Sequence, residues 1–237
     1  MTKIHFTSHG FTLSGNLFRA AKPRKPAFLF IQGWMGTQNV QAAKLLAEKG
    51  FTCITYDMRG NGGSEGDIAD FSRADFIADA VTAYDYLREQ VGEDTPIGVI
   101  GGSFGSYTAV LLAAQRDVFC LSLRVPANYP DEGFAQPHAP HAGTPELMAW
   151  RRKPLNFTDN RVLAELHTFD GPVQIIEAEN DEMVPRRTVQ NYIDAAADPA
   201  KLQYRLMRDA PHRLETPARN KEYQQLLTAW ITSLIEP

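Results

Sequence analysis

Residues 97–115, IGVIGGSFGSYTAVLLAAQ, decide the fold. The short apolar run from Ile97 to Gly101 reads as a buried strand. The run after Gly105 has no breaker and is rich in Ala and Leu, so it reads as a helix. Between them stand Gly101-Gly102-Ser103-Phe104-Gly105, with the spacing G-x-S-x-G. Those five residues alone arise by chance in roughly one chain of this length in twenty, at about 7% glycine. The flanking strand and helix make the pattern specific. A serine on a tight, strained turn needs small neighbours where strand and helix nearly touch, and this arrangement is a nucleophile elbow. The plain alternative is a glycine-rich turn with a bystander serine. A phosphate loop does not fit: Ser103 stands where G-x-G-x-x-G needs its second glycine, and Glu65 stands where the Gly60–Gly66 stretch needs its third.

Outward from the elbow, short apolar runs recur at 27–31, 51–57, 120–125, 173–178 and 202–207. Near-continuous runs of this kind suit strands buried on both faces of a largely parallel sheet. Helical patterns separate them. Ser72 with Asp75 forms a capping-box signature, followed by an apolar face of Ile77, Ala80, Val81, Tyr84, Leu87 and Val91. Pro185 can open a helix with Val189, Tyr192, Ile193 and Ala196 on its face. The last helix shows Tyr223, Leu226, Leu227, Trp230, Ile231 and Leu234. Residues 1–19 read as a hairpin turning at His9-Gly10. The expectation is one α/β domain over 1–237, with about eight strands, helices on both faces and right-handed crossovers. Residues 126–160 break the rhythm with six prolines and read as a short cap inserted over the site, with a helix near 145–152.

The chain has 237 residues, a net charge of -4, 43% hydrophobic and 22% charged residues. No basic run longer than Arg151-Arg152-Lys153 occurs, so neither nucleic acid nor an anionic membrane is an expected partner. No apolar stretch approaches 18 residues and the first ten alternate polar with apolar, so neither a membrane span nor a signal peptide is expected. The default is a cytoplasmic protein. Cys53 and Cys120 lie in apolar runs and read as buried thiols, not a disulfide or zinc framework.

A serine hydroxyl needs a base within hydrogen-bond reach, and the base needs an orienting group. Two strand ends supply candidates. The run VQIIEA leads into Glu179-Asn180-Asp181-Glu182-Met183-Val184-Pro185, and LQYRLM leads into Arg208-Asp209-Ala210-Pro211-His212. Both lie past the C-terminal ends of strands, where open α/β sheets carry their sites. His212 is the candidate base. His5 and His9 belong to the hairpin, His167 to a helix, and His138 and His141 read as surface or cap histidines. Asp181 is the candidate acid, with Glu179 as alternative. Strand 27–31 runs into Gln32-Gly33-Trp34-Met35-Gly36, so the backbone N–H groups of Trp34 and Phe104 are the candidate oxyanion hole.

The stretches FLFIQGWMG, YDMRGNGGSEG, IGGSFGS, AENDEMVP and APHRL together resemble the α/β-hydrolase superfamily, and within it small bacterial esterases and acyl hydrolases with a short cap. The resemblance implies that Asp57–Ser64 is a structural turn. One departure is Gln32 where the family commonly has histidine. It also implies a serine hydrolase that cleaves small carboxylic esters through an acyl-enzyme, with Ser103, Asp181 and His212 as catalytic triad and neither metal nor organic cofactor. An acyltransferase, a perhydrolase, or a non-catalytic binding protein on this fold stays open, as does a homodimer. Met35, Tyr129, Phe134 and Trp150 are candidate pocket walls. Arg124 is expected to pair with Asp131 or Glu132, or else with an acidic group of the substrate.

Overall fold

The computed structural model describes residues 1–235. Among them the chain runs β1 (Thr2–Ser8), β2 (Phe11–Phe18), β3 (Arg24–Ile31), α1 (Val40–Glu48), β4 (Phe51–Tyr56), α2 (Arg73–Val91), β5 (Ile97–Gly102), α3 (Phe104–Ala113) and β6 (Leu121–Arg124). It continues with α4 (Pro145–Arg151), α5 (Arg161–Thr168), β7 (Val173–Asn180), α6 (Arg186–Ala195), β8 (Leu202–Pro211) and α7 (Pro217–Ile235). The strands form one eight-stranded sheet in the order β1-β2-β4-β3-β5-β6-β7-β8. β1 and β2 pair antiparallel, as does β2 with β4; the pairings from β4 through β8 are parallel. The hairpin turns where His9 and Gly10 both take positive φ, 48° and 89°. That is the requirement of a type I′ turn, which matches the strand twist.

Period-two alternation sorts the central strands between two cores. Leu29, Ile31, Val99, Leu121, Leu123 and Ile175 face one core with α2, α3, α5 and α6. Phe28, Phe30, Ile100, Cys120 and Ile176 face the other with α1 and α7. Both cysteines are free and buried, and burial pushes their thiols up, as inert core residues require. The capping box at Ser72 and Asp75 is formed. Pro185 stands at the N-cap of α6, one place earlier than a first-turn proline. No helix among the described residues is long and apolar enough to cross a membrane.

The Asp57–Ser64 turn is held by local bonds: the Asp57 carboxylate accepts from the Gly63 N–H, and its carbonyl accepts from Ser64 Oγ. Beside it Arg59 is buried against Asp79, at 2.6 Å from Nη2 to Oδ1, with Phe11 and Phe71 rings on the guanidinium. The side chains are 3% and 0% exposed. Asp75 also reaches the guanidinium, at 3.3 Å from Nη1, but its side chain is 41% exposed, so removing Asp79 takes away the one buried counter-charge of Arg59. Asp79→Ala is expected to lower unfolding stability by about 3–5 kcal/mol, read from urea denaturation. A loss below about 1 kcal/mol, the size of an exposed pair, would show that Asp75 or water takes over the compensation of Arg59.

Candidate active site

β5 and α3 meet at Ser103 with no loop between them. A Cβ on Gly101 would collide with the carbonyl of Gly105, and one on Gly105 with the carbonyl of Ile31 in β3. Only glycine permits that contact. Ser103 is forced to φ 55°, ψ -116°, a costly conformation for a residue with a side chain. Main-chain bonds hold it there: Ser103 N–H donates to the Arg124 carbonyl at 2.8 Å, and its own carbonyl accepts from Ser106 and Ala127.

The other two candidates arrive through strand register. Asn180 at the end of β7 pairs with Pro211 at the end of β8, so the next residues, Asp181 and His212, emerge side by side. A bulge between Ala178 and Asn180, with Asp209 at φ 52°, sets that register. His212 Nε2 lies 3.0 Å from Ser103 Oγ, and His212 Nδ1 lies 2.7 Å from Asp181 Oδ2. The His212 and Asp181 side chains are 7% and 5% exposed. Asp181 Oδ1 accepts from the N–H groups of Met183 and Val184, leaving Oδ2 for the imidazole. Glu179 instead binds Arg208 and the Asp209 N–H. Its geometry separates it from the imidazole.

Gly33 brings the loop after β3 against the elbow: a Cβ there would lie 3.3 Å from the Gly102 carbonyl and 3.5 Å from Ser103 Cβ. Trp34 follows, and Phe104 opens α3, so its N–H has no intrahelical acceptor. Trp34 packs edge-on against Phe76, Phe104 and His138. Asn61 braces the loop by donating to the Gly36 carbonyl at 2.9 Å. Gln32 is buried, and neither polar atom of its side-chain amide has a partner among the described residues.

A cavity of about 950 Å³ opens on Ser103 and is lined by Trp34, Met35, Tyr129, Arg124, Arg151 and Met183, among others. Met35 is 65% exposed at its mouth. Two expected wall residues lie elsewhere. Phe134 packs under the Arg161 guanidinium, 4.2 Å from the ring centre, and Trp150 lines a second cavity of about 710 Å³ with Arg73 and His138. Arg124 does not pair with Asp131 or Glu132. Asp131 accepts from Asn160 and Arg161, while the Glu132 carbonyl accepts from Arg73. Arg124 Nη1 donates to the His212 carbonyl at 2.8 Å, over the Tyr223 ring. One residue thus holds the serine through its carbonyl and the histidine through its side chain.

The proline-rich segment contributes residues that its sequence did not mark. Arg151 on α4 is buried, donates to the Asn128 and Met183 carbonyls at 3.0 Å each, and lies 4.7 Å from the Tyr129 ring centre. It ties the segment to the Asp181 loop. Of the two readings of His138, surface or cap, the structure gives the second: it lies in the 126–160 segment and is 2% exposed among Trp34, Phe104 and Tyr129. Burial first, then the charges of Arg73 and Arg151 and nearby His141, push its imidazole down to about 3. No third candidate ligand joins His138 and His141 in a metal-holding group among the described residues.

A family model described as alpha/beta hydrolase fold matches residues 26–164. The chain is 30% identical over 199 residues to an uncharacterized protein of Mycobacterium tuberculosis, covering 82% of this chain and 66% of that one. It is 26% identical over 198 residues to the lysophosphatidylserine lipase ABHD12 of Danio rerio, covering 75% of this chain and 49% of that one. It therefore spans less than two thirds of the length of either relative. Among solved structures it superimposes on Est1E of Butyrivibrio proteoclasticus with ferulic acid bound, at a TM-score of 0.76 and 18% identity over 99% of this chain and 100% of that one.

His138 gives a stability prediction. The unfolded chain takes a proton there near the ordinary histidine value of 6.5, while the folded chain resists until about 3. The neutral-histidine contribution is complete above pH 6.5 and is lost as pH falls toward 3. His138→Phe keeps the ring and removes the titration. The stability of wild type relative to this variant is expected to fall between pH 7.5 and 5 in matched denaturation curves. A gap that widens in favour of wild type would mean that folded His138 holds its proton.

Proposed function

Because the chain belongs to the α/β-hydrolase family, we propose that it is a serine hydrolase cleaving small carboxylic esters through an acyl-enzyme. The observation that carries this reading is the continuous bond chain from Ser103 Oγ through His212 to Asp181. Ser103 Oγ attacks the ester carbonyl as His212 Nε2 takes its proton, and Asp181 stabilises the imidazolium so formed. The carbonyl oxygen becomes an oxyanion met by the Trp34 and Phe104 N–H groups, which are preorganised by the elbow and the Gly33 contact. The imidazolium then protonates the leaving alcohol. Water, deprotonated by His212, cleaves the acyl-enzyme and restores the serine. Arg124 acts through His212, as a positioning residue. Residues 126–160 act as the cap, since Tyr129, Met148 and Arg151 wall the cavity.

The named lipase among the relatives is in keeping with acyl-ester chemistry. The cavity is open and short-capped, which favours short-chain or small aromatic acyl groups over long-chain triglycerides. C2–C4 p-nitrophenyl esters should be turned over faster than the C16 ester, with no jump in rate above the critical micelle concentration. Comparable C4 and C16 rates would sink that preference.

Ser103→Ala is expected to leave the fold intact and reduce p-nitrophenyl acetate turnover by about 1000-fold or more. Asp181→Asn should lower kcat more than it raises KM, and Glu179→Gln should change neither much. A Ser103→Ala variant keeping more than about a tenth of the rate would mean that another group carries the chemistry.

A further inference from the structure

Buried charges are normally paired, because an ion stripped of water must be compensated. Two arginines on the Ser103 cavity depart from that rule. Arg151 is buried and Arg124 is half-buried, both line the cavity, and neither has a carboxylate within 4.0 Å among the described residues. Their hydrogen bonds go to main-chain carbonyls: Arg151 to Asn128 and Met183, Arg124 to His212. Carbonyls satisfy some N–H donors but carry no full negative charge, and Arg124 meets the Asp181 charge only across the site, without a direct bond. Each guanidinium has further donors, and Arg124 Nη2 lies beside Gly102, 3.3 Å from where a Cβ would stand. Asp181 is the nearby buried carboxylate, and it is committed to His212 and two main-chain N–H groups. The acids that line the cavity otherwise, Glu182 and Glu215, are exposed.

We propose that the cavity selects esters that carry a carboxylate, which Arg151 and Arg124 bind while Ser103 meets the ester carbonyl. This rests on Ser103 being the nucleophile. The planar guanidinium fork matches a carboxylate, and the low-dielectric wall makes each charge-assisted bond stronger than at a surface. Arg151 also fastens the 126–160 segment to the Asp181 loop, so substrate charge and site closure meet at one side chain.

The test compares each anionic ester with a neutral ester of the same shape. For an anion on the acyl side, p-nitrophenyl hemisuccinate is set against p-nitrophenyl 4-methylpentanoate. For an anion on the alcohol side, butyrylglycolate is set against isobutyl butyrate, with acid release followed by titration. In wild type at least one pair is expected to favour the anionic ester by about ten- to a hundredfold in kcat/KM. Because a buried pair is screened much less than a surface one, most of the preference should persist in 0.5 M salt, and its complete loss would place the recognition at the exposed surface and overturn the proposal. Arg151→Met should collapse the ratio toward one, and Arg151→Lys should keep part of it. Turnover of both members of both pairs at similar rates overturns the proposal and leaves the serine reading standing. So does a variant that lowers anionic and neutral esters by one common factor. No turnover of any of the four esters by wild type sinks the serine reading, and this proposal with it. The wild-type ratios and their salt dependence decide the matter even if the variants fail to fold.

Discussion

The site depends on one main-chain contact: the α3 backbone at Gly105 lying on the carbonyl of Ile31 at the end of β3. With no side chain between them, helix and strand approach as closely as backbones allow. That approach leaves no room for a loop after β5, so the chain turns at Ser103 itself and takes a positive φ. The same contact brings the end of β3 beside the serine, which makes Gly33 and Trp34 neighbours of the elbow. The strain is of order 1–3 kcal/mol. It is offset by the burial of nearly all of α3, whose Tyr107, Val110, Leu111 and Leu112 pack into the main core. A helix buried over nearly its whole length is what lets one residue stay in an unfavourable conformation.

The second half of the site is built by pairing. β7 and β8 deliver Asp181 and His212 together because their last paired residues are Asn180 and Pro211. Two separate devices, a glycine contact and a strand register, therefore have to agree to within a hydrogen bond. β6 lies between them in the sheet, and Arg124 at its end links both: its carbonyl holds the Ser103 N–H and its guanidinium holds the His212 carbonyl. The following residue, Val125, takes φ 43°, a rare conformation for a β-branched side chain, and is fully buried. The turn at Val125 ends β6 where Arg124 can reach back across the strand ends.

What could be read from the chain follows from how local each device is. The elbow was legible because strand, glycines and helix are consecutive in sequence. The sheet was legible because each apolar run alternates faces or fills both. The choice between Asp181 and Glu179 was less so, since it turns on a bulge at Ala178–Asn180 that no residue pattern announces. Arg124 could be recognised as odd inside an apolar run, but its partner is 88 residues away and is a carbonyl, which carries no sequence signal. The 126–160 segment hid the most. Prolines mask periodicity there, so nothing in the sequence marks Arg151 as buried or separates a surface from a cap position for His138.

That segment has an unusual interior for a stretch of chain without regular packing. Tyr129 is flanked by two guanidiniums, Arg151 at 4.7 Å and Arg73 at 5.6 Å from its ring centre, with His138 at 4.8 Å between centroids. Arg73 bonds the carbonyls of Pro130 and Glu132 and has no carboxylate partner among the described residues. Hydrophobic residues in these places would stabilise the fold more simply, because each buried ion carries a desolvation cost of several kcal/mol. Main-chain carbonyls and aromatic faces supply partial negative charge that offsets part of that cost and leaves no full counter-charge beside the guanidiniums. Burial in such a lining, and then the nearby positive charges of Arg73 and Arg151, keep His138 neutral near pH 7. The segment is therefore held by polar main-chain bonds and ring–cation contacts as well as apolar packing, and its bonds run to the α2 entrance at Phe71 and the Asp181 loop at Met183. Its position is coupled at one end to Trp34, through His138, and at the other to Asp181, through Arg151. A displacement of the segment would disturb both the Trp34 loop and the Asp181 loop.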